Sequence, residues 1–126
     1  METKLKILIV DDERFYINIL VELLKNKYKL YIAKSGEQAL KRISDNRPDL
    51  ILLDIMMPEM DGYQTCAEIK QNQQWNNIPI IFLTGKTDQN SEEKAFEAGA
   101  IDVINKPIAP ATLLSRLNIH LTQALL

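Results

Sequence analysis

The chain is poor in most of the residues that carry recognisable chemistry. Cysteine occurs once, at Cys66, so neither an internal disulfide nor a cysteine-rich zinc site can form, and a reducing, cytoplasmic setting is expected. Histidine also occurs once, at His120, which removes a multi-histidine metal centre. The four glycines, Gly36, Gly62, Gly85 and Gly99, are too thinly spread to write a dinucleotide fingerprint or a P-loop anywhere. Any phosphate chemistry must therefore use something other than a glycine-rich cradle. A large excess of charge of one sign is missing too: 15 basic against 17 acidic side chains leave a net charge of -2, so no direct nucleic-acid partner is expected. No apolar run approaches the roughly 18 residues of a membrane span, and the charged METKLK start followed by a short apolar run and two aspartates is no signal peptide, so no membrane insertion is expected.

What is present is an ordinary globular composition. Of 126 residues, 46% are hydrophobic and 25% charged, enough for one domain with a full core and too few for two. The expected domain is residues 1–126, with residues 1–4 as a short tail.

Five short apolar runs alternate with segments of helical period. The runs are Leu5 to Val10, Leu30 to Ala33, Leu50 to Leu53, Ile78 to Leu83 and Ile101 to Ile104. Stretches such as Ile-Leu-Ile-Val and Leu-Ile-Leu-Leu lack polar alternation, as strands buried on both faces do. Between them, Arg14 to Lys27 carries the stripe Tyr16, Ile17, Leu20, Leu23 and Leu24. Ser35 caps a second helix through Asn46, and a third runs from about Tyr63 to Asn72. Asn90 with Glu93 reads as a capping box for a fourth helix that stops at Gly99. A fifth starts after Pro107 or Pro110, with Leu113, Leu114, Leu117, Leu121 and Leu125 on one side. Five strand-helix repeats predict an α/β doubly wound, five-stranded parallel sheet; connection handedness limits the plausible orders, of which 2-1-3-4-5 is the one expected, with any site at the carboxyl ends of the strands.

The residues ending the runs are Asp11 and Asp12, Asp54, Thr84, and Asn105 with Lys106. In the expected order these strands are neighbours, about 4.8 Å apart, so three carboxylates, a hydroxyl and an ammonium converge. Aspartate after a strand is commonly just a turn or cap residue, and it is the convergence from four segments that carries meaning. Clustered carboxylates raise one another's pKa unless a cation relieves them, and Mg²⁺, which binds through one or two carboxylates plus phosphate, suits this set. The chemistry indicated is phosphoryl transfer onto a carboxylate, with Asp54 the best-placed nucleophile. A phosphatase working through an aspartyl intermediate and a pure binding adaptor are the competing classes. The phosphatase commonly needs a second acid two residues after its nucleophile, where this chain has Met56.

The motifs resemble those of receiver domains of two-component response regulators. They are Ile-Leu-Ile-Val-Asp11-Asp12-Glu13, the segment from Pro48-Asp49 through Asp54 and Pro58 to Asp61-Gly62, the segment from Ile78 to Thr84-Gly85, and the segment from Gly99 to Lys106-Pro107. The resemblance covers essentially the whole chain and, within it, is to chemotaxis-regulator-like receivers. It implies a flavodoxin-like (βα)5 fold and a phosphoryl-accepting role rather than an enzyme with independent turnover. It also implies that Asp54 takes a phosphoryl group from a histidine kinase or phosphotransfer protein. Mg²⁺ would be held by Asp12, Asp54 and the Met56 backbone carbonyl, with Asp11 assisting through water. Thr84 and Lys106 would bind the phosphoryl oxygens, and the Lys106–Pro107 bond would be cis. Pro58 and Gly62 would shape the loop after strand 3, Gly62 by a backbone conformation other residues resist, and Gly85 and Pro107 are supporting positions. Val103 stands where the family usually has Tyr or Phe, so the switch is expected to act through threonine and loop movement. Met56 and Lys86 occupy positions that influence dephosphorylation. Phe15 and Ile19 are implied as a kinase-docking surface, and the helix 4, strand 5, helix 5 face as a contact for a homodimer or downstream effector domain.

Overall fold

The computed structural model describes residues 4–85 and 89–124; Lys86 and Leu125 lie outside them. Among the described residues ten elements alternate strictly: β1 (Lys6–Val10), α1 (Arg14–Leu24), β2 (Lys29–Ala33), α2 (Gly36–Asp45), β3 (Leu50–Asp54), α3 (Gly62–Gln71), β4 (Ile80–Thr84), α4 (Gln89–Glu97), β5 (Asp102–Asn105) and α5 (Pro110–Ala124). The strands form one parallel sheet in the order β2-β1-β3-β4-β5, as the run-and-helix pattern predicts. Strands begin and end within two residues of the apolar runs; the largest shift is at β4, where Ile78 and Pro79 precede the strand.

Strand alternation divides the core in two. Ile7, Ile9, Leu50, Leu52, Ile81, Leu83 and Ile104 point to the face covered by α1 and α5, meeting Leu20, Leu24, Leu113, Leu117 and Leu121. Leu8, Val10, Ile51, Leu53, Ile80 and Phe82 point to the other face, against Ala39, Ile43, Cys66, Ile69 and Ala95 of α2, α3 and α4. Because both faces are covered, β3 and β4 are buried at every position.

Helix ends follow local chemistry. Ser35 accepts a hydrogen bond from the Gln38 N–H, as its capping role requires. Asp61 and Gln64 form a capping box at α3. At the end of α4 the Ala100 N–H bonds to the Ala95 carbonyl and the Gly99 N–H to that of Phe96, with Gly99 at φ 111°. This is a Schellman closure, for which glycine is the favoured residue. The start of α4 corrects the sequence reading: Asn90 lies inside the helix, which already includes Gln89, so Asn90 is no cap. On α5, Leu114 is not part of the buried stripe; it turns outward, more than a third exposed, because it sits one residue beyond Leu113 on a 3.6-residue period.

Candidate functional site

The same alternation that fills the core aims the strand ends. Asp11, Asp54 and Lys106 continue the rows of Ile9, Leu52 and Ile104, while Thr84 continues the row of Phe82 on the opposite parity. The first three meet. Lys106 Nζ lies 2.9 Å from Asp11 Oδ2 and 3.2 Å from Asp54 Oδ1, and 3.7 Å from Glu13 Oε1. Asp11 is fully buried and its other oxygen accepts the Glu13 N–H, which fixes the turn out of β1. Asp12 is exposed at the mouth. Carboxylate oxygens of Asp11, Asp12, Glu13 and Asp54 all lie within 4.8 Å of one another.

Glu13 is the member of this cluster that the strand-end logic passed over, although it follows Asp12 directly. Tyr16 was also missed as part of the site. Its ring lies beneath the Lys106 ammonium, 4.1 Å from centroid to Nζ, and no pattern in the sequence signals that contact.

Among the described residues, one lysine faces these four acids and does not balance their charge. Burial first, then the charge of Asp11, pushes the Asp54 carboxyl up to about 7 against the pull of Lys106. Lys106 moves the other way from what burial alone dictates: its hydrogen bond to Asp11 and the charges of Asp54 and Asp11 hold its pKa above the ordinary lysine value. Asp54 Oδ2 is buried and has no hydrogen-bond partner among the described residues. An orphaned carboxylate oxygen beside three more acids fits a hard divalent cation with oxygen ligands such as Mg²⁺.

The loop after β3 closes on itself through the Gly62 N–H and the Ile55 carbonyl, 2.8 Å apart. Gly62 is needed here for a reason other than the expected one. Its φ is not positive; instead, a Cβ would lie 2.5 Å from the Asp54 carbonyl oxygen and 2.7 Å from Ile55 Cα. The unusual backbone belongs to Glu59, at φ 66°, next to exposed Pro58. Gly85 is exposed and a Cβ there would meet nothing within 4 Å. The Lys106–Pro107 bond is cis.

Beside the acids, Ile55, Met56, Asp61, Tyr63, Thr84, Asn90, Ser91 and Lys94 line a cavity of about 240 Å³. Thr84 is buried at its base, and Met56 is exposed at its rim. Tyr63 packs edge-on against Phe82 and carries the Lys94 ammonium 4.4 Å above its ring. Val103 is half-buried against the α2, α3 and α4 side of the core.

Residues 7–118 match the response regulator receiver domain family. The chain belongs to that family. This receiver is 44% identical over 115 residues to a Vibrio cholerae protein named "Probable cyclic di-GMP phosphodiesterase", covering 91% of this chain and 26% of that protein. It is 37% identical over 112 residues to the alkaline phosphatase synthesis transcriptional regulatory protein PhoP of Bacillus subtilis, covering 88% of this chain and 46% of the relative. The receiver thus spans less than half the length of these curated relatives. Among solved structures it resembles the chemotaxis response regulator CheY4 of Vibrio cholerae, with TM-score 0.87, 30% identity and coverage of 92% of this chain and 98% of that one. It also resembles the signal receiver domain of an HD domain-containing protein from Pseudomonas fluorescens Pf-5, with TM-score 0.88, 29% identity and coverage of 98% and 91%. The sheet order and the five helices are those of the flavodoxin-like, CheY-like fold, and the receiver is a two-component signalling module.

Proposed function

We propose that this receiver takes a phosphoryl group on Asp54 from a phosphohistidine of a histidine kinase or phosphotransfer protein. The observation that carries this reading is the state of the Asp54 carboxylate: one oxygen bonded to Lys106, the other buried and without a partner among the described residues. In the transfer, an Asp54 oxygen forms the new bond to phosphorus as the P–N bond breaks, and the electron pair of that bond leaves with the imidazole. Lys106 neutralises charge on the phosphoryl oxygens, and Thr84 donates to one of them when loop movement brings it inward. Asp12, Asp54 and the Met56 carbonyl would hold Mg²⁺, with Asp11 acting through water. The bound ion would supply positive charge that neutralises the phosphoryl group as it transfers.

On this reading the domain spans residues 1–126, resides in the cytoplasm and catalyses only its own phosphorylation and dephosphorylation. No described helix is long and apolar enough to cross a membrane. Phosphorylation changes partner or homodimer contacts on the α4, β5, α5 face, where Phe96, Ile101, Leu114 and Ile119 are exposed. Phe15, two-thirds exposed, and half-buried Ile19 on α1 form the kinase-facing surface.

Acetyl phosphate with Mg²⁺ is expected to add one phosphoryl group, seen by intact mass, and Asp54→Asn to abolish it. Equal labelling of the variant would overturn the assignment. Turnover of a phosphate monoester would favour the phosphatase class instead, and partner binding indifferent to Asp54→Ala would favour the adaptor.

A further inference from the structure

Lys106 reaches the acid cluster from one strand end, and an ammonium on a four-carbon stem has no intrinsic reason to stay there. Three carboxylates compete for it. Asp11 and Asp54 draw it inward at 2.9 Å and 3.2 Å, while Glu13, more than half exposed, draws it toward the mouth at 3.7 Å. Yet the lysine side chain is only 7% exposed. What covers its outer side is the first turn of α1. Tyr16 presents the face of its ring to the ammonium at 4.1 Å, and Phe15 braces that ring edge-on, centroids 5.2 Å apart and planes at 85°.

We infer that Tyr16 is a positioning residue for phosphoryl transfer, holding the Lys106 ammonium over Asp54. The negative face of the ring attracts the cation without offering an oxygen that would bond it away from the carboxylates. Ring and inner carboxylates together leave the ammonium one location, the one where charge develops on the incoming phosphoryl oxygens. A cation placed before the reaction costs no reorganisation during it. The inference also gives exposed Phe15 a structural task in addition to the docking role proposed for it. It rests on the reading of Asp54 as phosphoacceptor.

Replacing Tyr16 by Leu removes the π face while keeping an apolar side chain, whereas Phe keeps the face and loses only the hydroxyl. With acetyl phosphate and Mg²⁺, Tyr16→Leu is expected to slow labelling of Asp54 roughly two- to tenfold, and Tyr16→Phe to stay near the wild-type rate. In a Lys106→Ala background, Tyr16→Leu should cause no further loss, since the cation it positions is gone. A second readout is independent of activity. The Lys106 ε-methylene protons should show an upfield ring-current NMR shift in wild type and Tyr16→Phe that disappears in Tyr16→Leu. Equal labelling rates for wild type and Tyr16→Leu, an equal loss in the Lys106→Ala background, or an unchanged methylene shift would each overturn the inference. Failure of the wild type itself to accept phosphoryl on Asp54 would instead overturn the functional reading on which it rests.

Discussion

Two ionic clusters in this receiver use the same residue types to opposite ends. At the carboxyl ends of the strands, one lysine serves Asp11, Asp54 and Glu13, with Asp12 near by. At the start of β5, two basic residues of α5 serve one acid: Arg116 and His120 Nε2 both bond the Asp102 carboxylate, the latter at 2.9 Å. Burial raises both carboxyls, but the outcomes differ. Asp54 ends at about 7 because Asp11 adds to the effect of burial, whereas the bonds from His120, Arg116 and the Val103 N–H take Asp102 below the ordinary carboxylate range. The Asp102 cluster is a satisfied tie between β5 and α5. Among the described residues the Asp54 cluster is short of positive charge and holds an unpartnered oxygen, a condition that a bound cation would relieve.

The contrast predicts effects of different sign and size. Lys106→Ala should have the largest, since it leaves Asp11 and Asp54 buried without a cation. In metal-free protein at neutral pH it should cost about 3–5 kcal/mol by denaturant unfolding, and phosphoryl incorporation should fall by roughly 100-fold or more. An unchanged unfolding midpoint would mean that the acids are better solvated than their burial indicates.

Asp54→Asn should act in the opposite direction. Asp54 binds its proton more tightly folded than unfolded, so metal-free wild type should lose stability as pH rises from about 4 to about 7. The asparagine variant should lack that slope and gain about 1–3 kcal/mol at neutral pH. Thermal melts across this range, with chelator present, measure both. A variant less stable than wild type at pH 7 would contradict the charge imbalance.

Asp102→Asn should be destabilising at neutral pH, by about 1–2 kcal/mol, because the half-exposed arginine discounts the pair. Here the sign of the pH dependence reverses. A depressed folded pKa stabilises above the ordinary carboxylate range and loses that contribution as pH falls through it. Phosphoryl incorporation should be unaffected. The smallest effect belongs to His120→Gln, about 0.5–1 kcal/mol in the same melts, since Arg116 still holds the carboxylate.

The order of the sheet and the composition of the rim were legible in the primary structure for a shared reason. Unalternating runs as short as Leu50 to Leu53 read as strands covered on both faces, and strands of one parallel sheet deliver their terminal residues to one edge. Asp11, Asp54, Thr84 and Lys106 could therefore be named from their positions after the runs. Signals that depend on one or two residues of helical phase were less legible. Asn90 looked like a cap and lies inside α4, and Leu114 looked inward and lies outward, because a single residue turns a helix by about 100°. The need for glycine at position 62 was visible, but its cause is the close approach of the β3 backbone rather than a left-handed φ.

By itself, then, the chain's order of residues determined the layers and the family of groups at the site, since burial on both faces is a property of local pattern, and it narrowed the strand order through the handedness of the connections. Tertiary structure alone decided that Lys106 is shared between Asp11 and Asp54, that Tyr16 covers it from α1, and that His120 joins Arg116 on Asp102. Those partners lie 14 to 95 residues apart in the chain wherever their separation is set by two elements packing. Charge balance, and with it the direction in which a carboxyl titrates, depends on distances of a few ångströms that no spacing in the sequence encodes.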